Sequence, residues 1–159
     1  MQGALPGIIK NVLGIDVLYS EDLPGKVQVT SQKELDVLRK VTDANGETFI
    51  LHIEVQTRDD PDMAYRMLEY RVMAELVYRL PVRQYVIYLG ETASTMPTGI
   101  RSWGLSFEYT IISIRDLNYR LFLASEHPQE KLLAILGDFG RDDPVEVIKK
   151  IVSEVRSVS

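Results

Sequence analysis

Two β-strand patterns joined by a short polar turn constrain the fold more than any other feature of the sequence. Leu35 to Thr42 and Thr48 to Gln56 are rich in β-branched and apolar residues, and they flank the turn signal Asn45-Gly46. They predict an antiparallel β-hairpin. The second strand is apolar at nearly every position, yet Glu54 and Gln56 lie at its far end, so this polar end needs an explanation.

The length of the hairpin loop decides which side chains share a face. A two-residue turn would place Asp36 opposite Val55 and would mix polar and apolar residues on both faces. A three-residue loop with Gly46 left-handed and a bulge places Asp36 opposite Glu54 instead. Because side chains alternate with a period of two, we expect this second register. One face is then apolar, through the pairs Val41 with Phe49, Val37 with Ile53, and Leu35 with Val55, while Leu38 meets His52 on the other.

This register places the carboxylates of Asp36 and Glu54 opposite each other, with Gln56 further along the same face. Opposed like charges destabilise a β-ladder by roughly 0.2–1 kcal/mol. A solvated edge would screen the repulsion, whereas a divalent cation would remove it, and carboxylate oxygens suit Mg²⁺. His52 lies on the same face. We interpret it as a packed core histidine, because a chain with two histidines and no cysteine offers few zinc ligands.

The segment after this strand predicts a helix with one unusual residue. Asp60 is the expected N-cap and Pro61 the first helical residue, and the helix should run to about Arg79. Arg66 falls within its apolar face, and a buried arginine requires an anionic partner. We expect Arg66 to reach Asp36 and Glu54, or a phosphate bound beside them; a structural salt bridge to the same carboxylates explains it equally well. The core stripe of this helix comprises Met67, Tyr70, Met73, Ala74 and Val77.

The remaining patterns complete a mixed α/β domain with a central sheet. We predict a single domain over residues 1–159, with a C-terminal helical extension at about 126–159. The other expected elements are a short helix over Ile8 to Val17, strands over Lys26 to Thr30, Gln84 to Leu89 and Phe107 to Ile114, a polar loop over Gly90 to Gly104, and two helices after Pro128 and Pro144. The second of these helices carries an apolar stripe of Val145, Ile148, Val152 and Val155.

Composition excludes several classes of protein. No apolar run approaches the roughly 18–20 residues of a membrane span, and the absence of cysteine excludes a disulfide scaffold and thiolate chemistry. We therefore expect a cytoplasmic protein without a membrane partner. The net charge of −5 argues against non-specific binding to nucleic acid, which usually requires a basic surface.

Three segments together carry a family resemblance: "ELDVLRKV", "FILHIEVQ" and "YRMLEY". They resemble the Rpn family of recombination-promoting nucleases, often described as transposase-like, within the PD-(D/E)XK nuclease superfamily. The resemblance is strongest from Leu35 to Gly90 and looser around "LASEHPQEKLLAIL". It implies a restriction-endonuclease-like core, consisting of a helix, a three-strand meander, a helix and a strand, followed by C-terminal helices.

The resemblance also implies a function in DNA recombination. The family hydrolyses phosphodiester bonds as Mg²⁺- or Mn²⁺-dependent DNA endonucleases, and by resemblance Asp36 and Glu54 would bind the metal, with the Val55 carbonyl as a further ligand. Gln56 stands where the superfamily usually has a catalytic lysine. Arg66 and Tyr70 resemble the Gln-x-x-x-Tyr placement of RecB-like relatives and would support the site or bind phosphate. DNA is the implied partner, and a homodimer is left open.

Two departures from the family pattern leave alternatives open. Gln56 is neutral and can orient a water or phosphate but carries no positive charge. The family also commonly has an Asp-x-x-Phe-Lys segment before its first helix, which "MQGALPGIIKNVLGIDV" lacks. A catalytically degenerate nuclease fold acting as a binding or interaction module is therefore the alternative function. An unrelated structural domain is a third possibility, which a sheet without parallel strands would indicate.

Overall fold

The structure, a computed structural model, describes residues 5–23 and 36–158. These residues form two compact units. The first contains the described residues 17–23 and 36–112, and the second contains residues 5–16 and 113–158. The single domain over 1–159 stays a prediction, and the expected strand over Lys26 to Thr30 lies outside the described residues.

The fold is mixed α/β, as predicted, and contains one five-stranded mixed sheet. Its order is β1-β2-β3-β4-β7, and a separate hairpin is formed by β5 and β6. A 16-residue helix, α2 (Met63–Tyr78), lies between β3 and β4 in the sequence. The strands are β1 (Val17–Asp22), β2 (Val37–Asp43), β3 (Thr48–Gln56), β4 (Val82–Tyr88), β5 (Gly99–Ser102), β6 (Leu105–Glu108) and β7 (Thr110–Ser113).

Strand directions follow from the connections. The pairs β1–β2 and β2–β3 are antiparallel, whereas β3 and β4 are parallel. Parallel neighbours need a long crossover, and α2 supplies it. The parallel pair argues against the unrelated antiparallel domain. Strand β1 was not predicted. The helix expected over Ile8 to Val17 is the shorter α1 (Pro6–Asn11), and left-handed Gly14, at φ 69°, lies between it and β1.

The register of the β2–β3 hairpin is the one predicted from side-chain alternation. Val41 pairs with Phe49, and Val37 pairs with Ile53. The loop between them has three residues: the Gly46 N–H donates to the Asp43 carbonyl at 3.0 Å, and Gly46 is left-handed at φ 81°. Leu38 pairs with His52 as expected, but Leu35 lies outside the described residues. The two-residue turn is excluded.

Helix α2 begins later than predicted. Asp60 is not its N-cap, because the Asp60 carboxylate accepts a hydrogen bond from the Asp62 N–H at 2.9 Å and the Asp60 carbonyl accepts from Met63 at 3.1 Å. Residues 60–62 therefore form a turn before the helix. The C-terminus agrees with prediction, since the helix ends at Tyr78 and Arg79 adopts a left-handed conformation with φ 54°.

The region predicted as one strand over Phe107 to Ile114 is divided into β6 and β7. The two strands separate at Tyr109, whose N–H donates to the Thr98 carbonyl and whose hydroxyl donates to the Pro97 carbonyl. At this point the chain leaves the β5–β6 hairpin and enters the five-stranded sheet as β7. The predicted polar loop from Gly90 to Gly104 accordingly contains β5, the partner of β6.

The second unit is helical beyond β7. Asp143 caps its longest helix by accepting a hydrogen bond from the Val145 N–H at 3.2 Å. This unit contains α1, α3 (Arg120–Leu123), α4 (Pro128–Leu132), α5 (Pro144–Ser157) and two 3-10 helices, Ile114–Asp116 and Leu133–Leu136.

The prediction that the apolar stripe of α5 forms its buried face is wrong. Val147 and Ile151 are buried, whereas Val145, Ile148 and Val152 are exposed. The buried pair lies one helical turn apart on the face that also carries Glu154, and Glu154 Oε2 lies 3.4 Å from Lys131 Nζ of α4. Helix α5 therefore buries a face made by Val147 and Ile151, which is a different apolar face from the predicted stripe.

Candidate functional site

Strand β3 and helix α2 meet in a regular register. Two residues along a strand advance about 6.6 Å and four residues along a helix advance about 6.0 Å, so alternate strand residues meet every fourth helix residue. The matched pairs change from apolar to charged along the strand. They are Ile50 with Ala74 in one hydrophobic cluster, His52 with Tyr70 in ring contact, and Glu54 with Arg66 in an ion pair.

The ion pair at the end of this register is partly open to solvent. The Glu54 side chain is 2% exposed, and its Oε1 accepts hydrogen bonds from Arg66 Nη2 at 3.1 Å and Nε at 3.4 Å. Arg66, whose side chain is 23% exposed, also donates from Nη1 to Asp60 Oδ2 at 3.0 Å. Burial acts to lower the pKa of Arg66, but the two carboxylates outweigh it and the pKa is raised. Arg66 therefore remains a cation.

Asp36 lies immediately before the first residue of β2. Within the described residues the ladder extends to Val37 opposite Ile53, and Asp36 lies one position beyond this last pair. The placement of Asp36 opposite Glu54 stays a prediction. The Asp36 carboxylate accepts a hydrogen bond from the Val55 N–H at 2.9 Å, which holds the carboxylate beside the residue that follows Glu54 in β3.

Gln56 and Tyr70 are both buried at this end of the molecule. The Gln56 carbonyl accepts a hydrogen bond from the Leu89 N–H at 2.8 Å, which extends the parallel pairing of β3 with β4. Within residues 5–23 and 36–158, no acceptor contacts the buried Gln56 Nε2. The Tyr70 ring packs against His52 at a centroid distance of 4.3 Å.

His52 is a buried core histidine, in agreement with the sequence interpretation. Its Nδ1 lies 3.1 Å from Gln84 Nε2, which also donates to the Met67 carbonyl at 2.6 Å. Burial, with a smaller contribution from the Arg66 charge, lowers the pKa of His52 to about 3. The imidazole is therefore neutral at physiological pH, and Gln84 connects strand β4 to helix α2 across it.

The donor atoms at this end of β3 suit a hard cation. Asp36 and Glu54 supply carboxylate oxygens, and Mg²⁺ takes only one or two protein carboxylates while retaining several waters. Among the described residues, no group of three or more histidine, aspartate or glutamate side chains is arranged for a metal. Because Arg66 already contacts Glu54, a cation would compete with the guanidinium for this carboxylate.

Two neighbouring acids contribute in ways that the sequence interpretation missed. Asp60 is a partner of Arg66 and not a cap. The Asp59 carboxylate accepts hydrogen bonds from Ser94 Oγ at 2.8 Å, Thr95 N at 3.0 Å and Thr95 Oγ1 at 2.7 Å, and these bonds lower the pKa of Asp59. The adjacent acids after a strand were the available signal, but their partners are 6 and 36 residues away in sequence.

Comparison with known proteins leaves the family open. No family model, curated protein or solved structure matches the chain. No helix in the part of the chain that the structure describes has the length and apolar character needed to cross a membrane.

Proposed function

We propose that the chain is a Mg²⁺-dependent DNA endonuclease with a PD-(D/E)XK core, of the Rpn, transposase-associated type. The observation that supports the proposal is the polar end of β3, where Glu54, the Asp36 carboxylate bound to Val55, the Gln56 amide and Arg66 lie within a short stretch of strand and helix. Strand β3 is mostly apolar for packing, and its carboxylate and its amide side chain, Glu54 and Gln56, both lie at this end. The proposal explains this placement as the edge of a catalytic site.

Each residue has a chemical role in the proposal. Asp36 and Glu54 would hold the metal, which when bound supplies Lewis-acid stabilisation of phosphate charge and lowers the pKa of a water. Gln56 Nε2, a buried donor that meets no acceptor among the described residues, would orient a water or a phosphate oxygen. Arg66, released from Glu54, would bind phosphate, and Tyr70 would support Arg66 from the next turn of α2.

A second candidate is favoured by one observation, the Arg66 contacts. Arg66 bonds to both Glu54 and Asp60 and so neutralises the charge that a metal would otherwise neutralise. In this case the chain is a degenerate nuclease fold that acts as a binding or interaction module. The two candidates make opposite predictions for the effect of Mg²⁺ on stability.

Thermal melts with and without Mg²⁺ separate the candidates without a substrate. A nuclease site should stabilise the parent protein by about 2.7 kcal/mol when Mg²⁺ is at a hundredfold excess over its dissociation constant. Asp36→Asn keeps an acceptor for the Val55 N–H, so its melting temperature without metal should be close to the parent value. It should gain much less from Mg²⁺. The exposed Asp62→Asn is the matched control and should respond as the parent does.

Cleavage of plasmid and single-stranded DNA tests the chemistry directly. Cleavage should require Mg²⁺ or Mn²⁺, and Asp36→Ala should abolish it. Gln56→Lys should remain active, because the resemblance places lysine at this position in relatives. A parent protein that neither cleaves DNA nor responds to Mg²⁺ in melts would leave the degenerate module as the function.

A further inference from the structure

The only tryptophan of the chain lies at the tip of the β5–β6 hairpin with its side chain in solvent. Trp103 is 100% exposed. It follows the last ladder pair, Ser102 with Leu105, and Gly104 completes the turn with φ 73°. Leaving a full indole in water is unusual, because aromatic side chains normally contribute large buried areas. The position therefore suggests a partner.

The hairpin that carries Trp103 is held firmly on one side. Ile100, Leu105 and Phe107 belong to a hydrophobic cluster that includes Met63 and Met67 of α2. These two α2 residues flank Arg66 in sequence, so the hairpin packs against the part of the helix that carries the candidate site. One face of the hairpin is therefore packed against the helix, and its tip extends beyond this packed part into solvent.

A second connection joins the hairpin region to the site. The Asp59 carboxylate, from the loop between β3 and α2, binds both Ser94 and Thr95 in the segment that leads into β5. The same loop contains Asp60, the second partner of Arg66, and the exposed Arg58. The loop that follows β3 is therefore tied by hydrogen bonds to the segment that leads into the hairpin.

The outer face of the hairpin has the chemistry of a base-stacking platform. Arg101 lies directly opposite Ser106, on the face away from the Ile100–Phe107 pair, and Trp103 lies two residues after Arg101 in the turn. Arg101 forms no ion pair with any described residue. A flat π-surface beside an available guanidinium can bind a base and its phosphate together.

We propose that Trp103 stacks on an unpaired base of DNA while Arg101 contacts the adjacent phosphate, which places a single-stranded segment beside the candidate catalytic site. The inference rests on the proposed nuclease function for its choice of ligand. A protein or membrane partner is disfavoured because Arg101 and Ser106, both exposed, give the face beside the indole a polar character. An interface of either kind normally requires apolar neighbours around a tryptophan.

The net charge of −5 limits the electrostatic contribution to DNA binding. Long-range attraction to DNA is weak for an acidic protein, so stacking must supply most of the affinity. Binding should then have a shallow salt dependence. Each phosphate contact on a single strand contributes a slope of only about −0.7 in log K against log salt, and Arg101→Gln should reduce the slope by about this amount.

Intrinsic fluorescence tests the contact in EDTA, where a metal-dependent reaction is blocked. Because Trp103 is the sole tryptophan, its emission reports this site alone. Oligodeoxythymidylate should quench it through base stacking, and a blunt DNA duplex should quench it far less. Emission that ignores oligodeoxythymidylate but brightens and shifts to the blue with phospholipid vesicles would overturn the proposal in favour of a membrane contact.

Variants measured by anisotropy of a labelled oligodeoxythymidylate supply the affinity. Trp103→Ala should weaken binding by about 5- to 150-fold, the range expected for one base–aromatic stack, and Trp103→Phe should restore part of the loss. Tyr19→Ala removes another exposed aromatic from the same unit and should bind as the parent does. Trp103→Ala should melt with the parent, since its side chain is fully exposed.

The outcomes distinguish this inference from the nuclease proposal. Quenching and loss of affinity in Trp103→Ala, in a protein that never cleaves DNA, would support the stacking contact and reject the nuclease. Metal-dependent cleavage by a protein whose emission is unaffected by single strands, with equal affinity in Trp103→Ala, would reject the stacking contact and keep the nuclease.

Discussion

Two buried glutamate side chains, one in each unit, have their carboxylates stabilised by different kinds of partner. Glu130 of the second unit is 0% exposed, and its two oxygens accept hydrogen bonds from Gly7 N at 3.1 Å, Ile8 N at 3.0 Å and the Ser125 hydroxyl. Glu54 of the first unit is also buried, and its Oε1 is paired with the charged, partly exposed side chain of Arg66. The Glu130 carboxylate accepts hydrogen bonds from neutral donors, two of them on the backbone, whereas the Glu54 carboxylate is paired with a charged side chain.

The difference indicates which carboxylate is available for chemistry. Backbone donors at the start of α1 cannot leave Glu130 without unfolding the helix, so this residue has a structural role in capping. Arg66 is held by side-chain contacts alone and is 23% exposed, so a rotation of its side chain would release Glu54 without breaking a helix. A buried carboxylate whose cation can be exchanged is suited to a site, whereas one surrounded by fixed donors is suited to holding elements together.

The largest expected effect is at Glu130. Glu130→Ala would leave two backbone N–H groups and the Ser125 hydroxyl without their acceptor. Each stranded buried donor costs about 1–3 kcal/mol, so the free energy of unfolding should fall by at least about 3 kcal/mol. Urea denaturation measures it. Gly7→Ala should also destabilise the unit, because an added Cβ would lie 2.6 Å from Ser125 Oγ and 2.8 Å from Glu130 Oε2. A loss below 1 kcal/mol in Glu130→Ala would contradict the capping role.

A smaller effect is expected at Arg66. Arg66→Ala leaves the Glu54 charge buried, and breaking a fully buried ion pair costs about 3–5 kcal/mol. Water reaches the Arg66 end of the pair, so we expect about 2–3 kcal/mol in urea denaturation. The matched control is Arg71→Ala, on the same helix, which removes a surface pair with Glu75 and should cost less than about 0.5 kcal/mol.

Added Mg²⁺ sharpens the Arg66 experiment. If a cation can take the place of the guanidinium at Glu54, Mg²⁺ should restore part of the stability that Arg66→Ala loses and should leave Arg71→Ala unaffected relative to the parent. Equal loss with and without Mg²⁺ would show that the pair is as fixed as the Glu130 cluster, and the contrast between the two glutamates would disappear.

Local patterns predicted the elements around Glu54 well, because alternation and turn chemistry act over short distances. They gave β3 at its observed bounds and the hairpin register from Val41–Phe49 to Val37–Ile53. They also anticipated the contact between Arg66 and Glu54, since an arginine within an apolar helix face needs an anion. Whether Asp36, Glu54 and Gln56 act in catalysis stays a prediction.

The features that escaped prediction depend on distant residues. Glu130 could not be recognised as a cap, because its backbone partners are more than 120 residues away. Helix α5 carries apolar residues on more than one face, and only its tertiary packing selects the face of Val147 and Ile151 for burial. Helix α2 began late because the Asp60 side chain bonds within a turn and to Arg66, a competition that residue preferences do not describe.

The pH dependence of stability tests the environment beside Glu54. The pKa of His52 is about 3 in the folded protein and 6.5 in the unfolded chain, so the unfolded state binds the extra proton between these values. Stability from this group is complete above pH 6.5 and is lost as the pH falls towards 3, by up to about 1.4 kcal/mol per pH unit. His52→Gln should lose less stability over this window, so the parent and variant curves should converge on acidification. Parallel curves would contradict the buried neutral imidazole.

The smallest change in stability is expected for Glu54→Gln. The same substitution at Glu130 gives the most direct comparison of the two carboxylates. In Glu130→Gln, the new amide N–H groups would face donors whichever way the amide turns, because both oxygens of Glu130 accept hydrogen bonds, so stability should fall by about 1–3 kcal/mol. In Glu54→Gln, the amide oxygen can still accept from Arg66, while the cost of burying a charge is removed. These two changes oppose each other, and we expect a net change within about 1 kcal/mol.

Paired urea denaturation at pH 7, with and without Mg²⁺, measures both variants. Glu54→Gln should also lose most of the Mg²⁺ response, which Glu130→Gln should retain as far as it remains folded. A Glu54→Gln variant as unstable as Glu130→Gln would mean that Glu54 is a structural residue, and its Arg66 partner would then be a permanent one.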